Sequence, residues 1–219
     1  MTATDTLTFD QIEAAGLDDW RVLFEALHTR FRTGSFEKGL TLVTRIAELA
    51  ESANHHPDLD LRYPHVGVKL FSHDVFGVTS RDVDLARQIS AVAAELGVPA
   101  DPTATAVVEI ALDTADRAEI QPFWQALLAM GENPREEREL RDLDGVQPTL
   151  WFQHCEPHEE PRMRFHLDVR VPPEVVEGRI SAALAAGGTL VTDEHAPRFW
   201  VLADAQGNKA CLTTGRGRD

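Results

Sequence analysis

Glu51-Ser52-Ala53-Asn54-His55-His56-Pro57-Asp58 closes one backbone pattern, opens another, and sets two imidazoles beside a carboxylate. Upstream, Phe36, Leu40, Val43, Ala47 and Ala50 recur at three- and four-residue spacing, which predicts an amphipathic helix with Ser35 capping its first turn. Pro57 disfavours helical backbone at His56, so that helix ends near Asn54. Downstream, Val66, Val68 and Leu70 alternate with His65, Gly67, Lys69 and Phe71, which predicts a strand running out at Ser72-His73-Asp74. A turn at Gly77 leads to a second helix, capped by Thr79 or Ser80 and reaching about Leu96. Towards the start, Asp18-Asp19-Trp20 precedes one or two strands between Arg21 and Arg32, and the Thr-rich residues 1–8 read as frayed.

The chemistry of the quoted stretch is that of proton transfer. A helix C-terminus favours imidazolium, Glu51 stands one turn before His55, and His73 ends the alternating strand. Histidine gives and takes protons near neutrality. Three readings suit this pattern: metal-free acid–base catalysis, a metal site, or solvated histidines at a helix end. Adjacent His55 and His56 point in different directions on regular backbone, so they suit paired ligation less well than the i, i+4 spacing of helical zinc motifs.

Gly97, Pro99 and Pro102 bound a linker. Beyond it the chain repeats itself. A strand at Val107–Leu112 and a helix through Phe123–Leu128, ending at Gly131, match a strand at Phe165–Val171 and a helix from Ile180 to Ala186, ending at Gly187-Gly188. Glu109 to His166 and Gly131 to Gly188 are both 57 residues apart. Each unit closes with an Asp-x-x-Gly turn and a strand: Asp142–Gly145 before Leu150-Trp151-Phe152, and Asp204–Gly207 before Ala210-Cys211-Leu212. Two matched units predict a pseudo-symmetric paired sheet.

Charge narrows the partners. The 219 residues carry a formal charge of −15, with 9 basic and 15 acidic residues up to Val98 and 12 and 21 after it. Both halves are acidic, so nucleic acid and anionic membrane are not expected partners. Two cysteines, Cys155 and Cys211, are too few for a disulfide framework. With neither a signal peptide nor a membrane span legible in the sequence, a cytoplasmic protein is expected.

The pattern Glu51-x-x-Asn54-His55-His56-Pro57-Asp58, then Tyr63, Ser72-His73-Asp74 and Gly77-Val78-Thr79-x-x-Asp82-x-x-Leu85-Ala86, resembles pterin-4a-carbinolamine dehydratases over roughly residues 18–96. Trp20 and Phe31-x-x-Gly34-Ser35-Phe36 are similar to that family's upstream segment, although Thr33 stands where a second aromatic is usual and Asn54 where some members have Asp. The resemblance implies an α+β fold, with helices on one face of an antiparallel sheet. It also implies loss of water from a 4a-hydroxytetrahydropterin, giving quinonoid dihydropterin, with no metal or organic cofactor. His55, His56 and His73 would be the acid–base groups, not assigned individually, with Glu51 as orienter or proton partner. Pro57, Ser72, Asp74 and Val75 would line the pterin pocket. Trp20 would stack on the ring or sit in the core, and Asp82 would bond a histidine or ligand, or serve only as the first-turn acid of its helix.

Residues 105–214 resemble the vicinal-oxygen-chelate, or glyoxalase, superfamily, which implies a paired βαβββ domain. Metal-bearing members place ligands on the first and last strand of each unit, which fall here on Glu109, Trp151, His166 and Cys211. Glu109 and His166 can ligate, Trp151 cannot, and Cys211 can only as thiolate. The alternative to a ligand role is that His166 lines an apolar cleft and Cys211 is packed core. Gln153, His154, His158 and His195 read as loop or strand-end residues, and Glu156–Arg164 as an exposed connection. The expected organisation is a dehydratase-like domain over 1–98, a linker over 99–104 and a glyoxalase-like domain over 105–219, assembled as a homo-oligomer. Two other functions fit the same sequence: a non-catalytic pterin-binding regulator, or a metal-dependent enzyme in the second domain.

Overall fold

The computed structural model describes residues 5–157, 166–171, 174–214 and 216. The chain divides into two compact units, Met1–Val107 and Val108–Asp219. In unit 1, Thr8 and Gln11 form a reciprocal capping box on a short helix, α1 (Phe9–Glu13). Residues 5–8 are therefore not frayed as the sequence suggests: Thr8 caps α1, and the Leu7 amide donates to the Val78 carbonyl. Residues 1–4 lie outside the described ones. The Arg21–Arg32 stretch makes a hairpin of β1 (Arg21–Leu23) and β2 (Ala26–Arg32).

Next comes α2 (Phe36–Ala53), whose cap Ser35 accepts from the Lys38 amide. The helix stands where the periodicity places it, but its buried face is shifted, so that of the expected stripe only Ala50 is buried and Val43 packs against the core. Gly39, Leu42, Ile46 and Ala50 are buried, whereas Phe36 and Leu40 are 51% and 52% exposed. Two apolar stripes one residue apart, about 100° around the helix, both satisfy the spacing rule, and periodicity does not rank them. Gly39 belongs to the true face because a Cβ there would stand 2.6 Å from Leu61 Cδ1. Two strands follow, β3 (Asp58–Arg62) and β4 (His65–Leu70), then α3 (Ser80–Glu95). β3 escaped the sequence reading because only Leu59 and Leu61 mark its inner face between charged residues. The sheet order is β1-β2-β4-β3, antiparallel throughout, and Leu27, Phe31, Val66, Val68 and Leu70 share one core with Leu42, Ile46 and Ile89 from the helices. After α3, Arg32 donates to the Pro99 carbonyl and Asp101 to that of Arg30, so this proline-bounded segment runs hydrogen-bonded along β2.

Unit 2 contains β5 (Glu109–Thr114), α4 (Arg117–Leu128), β6 (Gly131–Asn133), β7 (Glu136–Arg141) and β8 (Thr149–His154). It then repeats them as β9 (Leu167–Arg170), α5 (Val176–Ala185), β10 (Thr189–Thr192), β11 (Phe199–Ala203) and β12 (Lys209–Thr213). The sheet orders β5-β8-β7-β6 and β9-β12-β11-β10 are the same, each with its first and last strands parallel and the rest antiparallel. α4 stops at Leu128 with Ala129 in the left-handed region, and Gly131 opens β6 instead of ending the helix. Both Asp-x-x-Gly turns form. Gly145 and Gly207 take φ of 70° and 84°, conformations that suit glycine, and the preceding aspartates accept the turn amides. Helices and sheets of both repeats contribute to one core around Trp124, Phe123, Phe152, Leu202 and Leu212. Phe165, His158 and most of the expected connection Glu156–Arg164 lie outside the described residues. Among the described residues no helix is long and apolar enough to cross a membrane.

Candidate functional site

The end of α2 explains why His55 is buried while His56 is not. Asn54 takes φ 45° and ψ 44°, its amide donates to Glu51 O, and the His55 amide donates to Ala50 O. This is a Schellman closure, in which the residue after the left-handed one folds back against the helix. His55 is that residue and is 7% exposed. Its Nε2 lies 2.7 Å from Asp82 Oδ1. Asp82, fully buried, accepts at Oδ2 from Ser72 Oγ (2.6 Å), the Thr79 amide (2.7 Å) and Thr79 Oγ1 (3.1 Å). One carboxylate thus caps α3 and holds an imidazole from the end of α2. Because a carboxylate accepts, His55 Nε2 donates, which leaves Nδ1 as the nitrogen free to take a proton.

The remaining expected residues divide. His56 is exposed and pairs with Glu51 across 3.2 Å. His73, also exposed, follows Ser72 directly and stacks edge-on against Phe71 with ring centroids 5.1 Å apart. Asp74 is exposed and 2.5 Å from Arg81, whose hydrogen bond holds its carboxyl below the usual range. Pro57 and Val75 are half-buried. Ser72 is spent on the Asp82 network. Trp20 sits in the core, edge-on to Phe31, with Nε1 donating to Ser90 Oγ. Eight residues separate Asp82 from Ser90 on α3, roughly 12 Å, so the indole is not beside the histidines. Trp20 instead helps line a cleft of about 420 Å³ with Ile12, Leu17 and Leu27. Sequence reasoning missed Arg81 and the second role of Thr79, whose hydroxyl joins the network as well as capping the helix.

In unit 2, the four positions implied by the glyoxalase resemblance do not make one donor set. Trp151 has no metal-binding atom, and Glu109 stands apart from the group that does form: His166, Asp168 and Cys211, with donor atoms within 4.8 Å of one another. Cys211 is buried, and burial raises its thiol pKa, with the charge and hydrogen bond of Asp168 adding to the rise. His166 is exposed. Gln153, His154 and His195 are exposed. A separate cleft of about 540 Å³ opens among Ile110, Met130, Leu150, Leu167, Asp168 and Arg179.

Fold and site together define a two-domain α+β protein, in which a helix-backed antiparallel sheet carrying a buried histidine–aspartate network is joined to a duplicated βαβββ domain. The sequence profile described as Pterin 4 alpha carbinolamine dehydratase matches residues 5–92, and that of the Glyoxalase-like domain matches residues 109–213. A proposed pterin-4-alpha-carbinolamine dehydratase from Nocardia farcinica is 41% identical over 92 residues, which span 41% of this chain and 97% of that protein. The chain belongs to the pterin-4-alpha-carbinolamine dehydratase family and carries a glyoxalase-like domain after the dehydratase domain. Among solved structures, it is similar to a transcriptional coactivator/pterin dehydratase from Brucella melitensis at 31% identity and TM-score 0.39, over 41% of this chain and 99% of that one. It is also similar to a glyoxalase/bleomycin resistance protein/dioxygenase family enzyme from Burkholderia phytofirmans, at 19% identity and TM-score 0.39, over 48% and 95% of the two chains.

Proposed function

We propose that unit 1 dehydrates 4a-hydroxytetrahydropterins to quinonoid dihydropterins by histidine acid–base catalysis. The reading rests on His55, locked at 2.7 Å on a carboxylate that is itself saturated with donors, with His73 one residue from the same network. In the reaction the C4a–O bond breaks, the hydroxyl leaves as water with a supplied proton, and a ring N–H proton is lost. There is no net oxidation, so the reaction needs no redox cofactor. Asp82 fixes His55 as the base for the ring proton. His56, steered by Glu51, and His73 remain at the surface to protonate the leaving hydroxyl. Pro57, Asp74 and Val75 would border the pterin, and the Arg81–Asp74 pair would hold that border in place. Metal-stripped protein should accelerate carbinolamine dehydration, and His55→Ala and His73→Ala should each lower that rate by about 10²- to 10⁴-fold. Unchanged rates in both variants would refute the assignment. Tight pterin binding without turnover in the native protein would favour a binding role instead.

The exposed α2 stripe of Phe36 and Leu40 supports assembly as a homo-oligomer, since apolar groups of that size gain by leaving water. Leu40→Asp should lower the mass measured by light scattering; an unaltered mass would place the contact elsewhere.

A further inference from the structure

We propose that the glyoxalase-like domain binds a zinc-class divalent cation at His166, Asp168 and Cys211, a site held wholly by its second repeat. The positions expected from the fold draw on both repeats, and here the first repeat defaults: Trp151 offers no donor and Glu109 is not part of the cluster. Asp168 supplies what is missing. It lies two residues beyond His166, the residue just before β9, and the two side chains approach each other. Cys211 is its register partner on the neighbouring parallel strand, β12, and comes to the same place.

Asp168 hydrogen-bonds the Cys211 thiol, but the spacing of His166 and Asp168 suits a shared metal better than it suits a hydrogen bond. His166 Nε2 and Asp168 Oδ1 are 3.4 Å apart, beyond a good N–H···O bond. Ligands around tetrahedral zinc, with bonds of about 2.0–2.3 Å, stand about 3.3–3.8 Å from one another. The three donor atoms, within 4.8 Å of one another, need only side-chain rotation to reach that arrangement. Rotation is available, because the His166 and Asp168 side chains are 55% and 66% exposed, while buried Cys211 supplies a fixed floor. Nitrogen, oxygen and sulfur together select zinc, cobalt or a similar ion over magnesium or calcium, which avoid thiolate. On binding, the Cys211 proton leaves to solvent and the thiolate takes the ion. Three protein ligands leave a fourth position for water or a small oxygen-donor molecule. Asp168 also borders the 540 Å³ cleft.

Cobalt tests this on the full-length, chelator-treated protein, because a thiolate bound to Co²⁺ gives a near-ultraviolet charge-transfer band. One equivalent of Co²⁺ should raise the band, and Zn²⁺ but not Mg²⁺ should displace it. Cys211→Ser should abolish the band, and Cys155→Ser should keep it. His166→Gln and Asp168→Asn change exposed side chains and so spare the fold; each should weaken cobalt affinity at least about tenfold. The proposal is overturned if no band forms, if the band follows Cys155, or if both exposed-ligand variants bind cobalt as tightly as the parent.

Discussion

Each unit is organised around a buried aspartate, and the two aspartates differ in what hangs from them. Asp82 gathers Ser72, the amide and hydroxyl of Thr79, and His55. Asp204, 3% exposed, gathers the amides of Gln206 and Asn208, the Asn208 side-chain amide, and the Trp124 indole N–H at 2.9 Å. The physical device is the same: a carboxylate removed from water and repaid with several donors. At Asp204 each partner is a permanent donor, and Trp124 is fully buried, so the cluster fastens α4 to the turn before β12. At Asp82 one partner is an imidazole, which can exchange a proton through its other nitrogen. A buried acid network becomes chemistry only when it ends in a group that titrates.

The contrast breaks or holds on a pair of isosteric changes. Asp82→Asn should lower the dehydration rate about a hundredfold or more and alter the shape of its pH profile, because an amide can face His55 with either a donor or an acceptor and no longer fixes the tautomer. A merely structural aspartate would lower the yield of folded protein and leave that profile alone. Asp204→Asn should destabilise unit 2 by about 3 kcal/mol, since the new NH₂ meets donors only, while the dehydration rate per folded molecule stays put. Equal catalytic losses in the two variants would dissolve the distinction.

How much of this was legible beforehand depended on the kind of signal. The His55-His56-Pro57 stretch, the capped helices and the repeated Asp-x-x-Gly turns are local, and they form as the spacing predicts. What stayed hidden was long-range. Nothing in the sequence shows that Phe36 and Leu40 face outward while Leu42 and Ile46 face in, because that depends on the sheet α2 packs against. Asp82 held two roles in prospect, cap and histidine partner, and the fold gives it both through its two oxygens. Asp168 went unread because it becomes notable only when β12 carries Cys211 alongside it. Thr33 was equally hidden: its side-chain hydroxyl is buried with no hydrogen-bond partner.

A second histidine in unit 1 sharpens the comparison by lacking what His55 has. His28, half-buried on β2, is pushed down to about 4 from 6.5, first by burial and then by the neighbouring charge of Lys69, with Asp58 opposing. Its neutral form is therefore favoured in the folded protein. The unfolded chain binds a proton near pH 6.5 that the folded chain refuses until near pH 4. Stability from this group is complete above pH 6.5 and drains away as the pH falls towards 4, at no more than about 1.4 kcal/mol per pH unit. Between pH 7 and 5 that is about 2 kcal/mol. Urea unfolding of the native protein and of His28→Gln at both values should show the native protein losing that much more than the variant. Parallel losses would mean that His28 accepts its proton within the fold, and that Lys69 and burial do not set its charge.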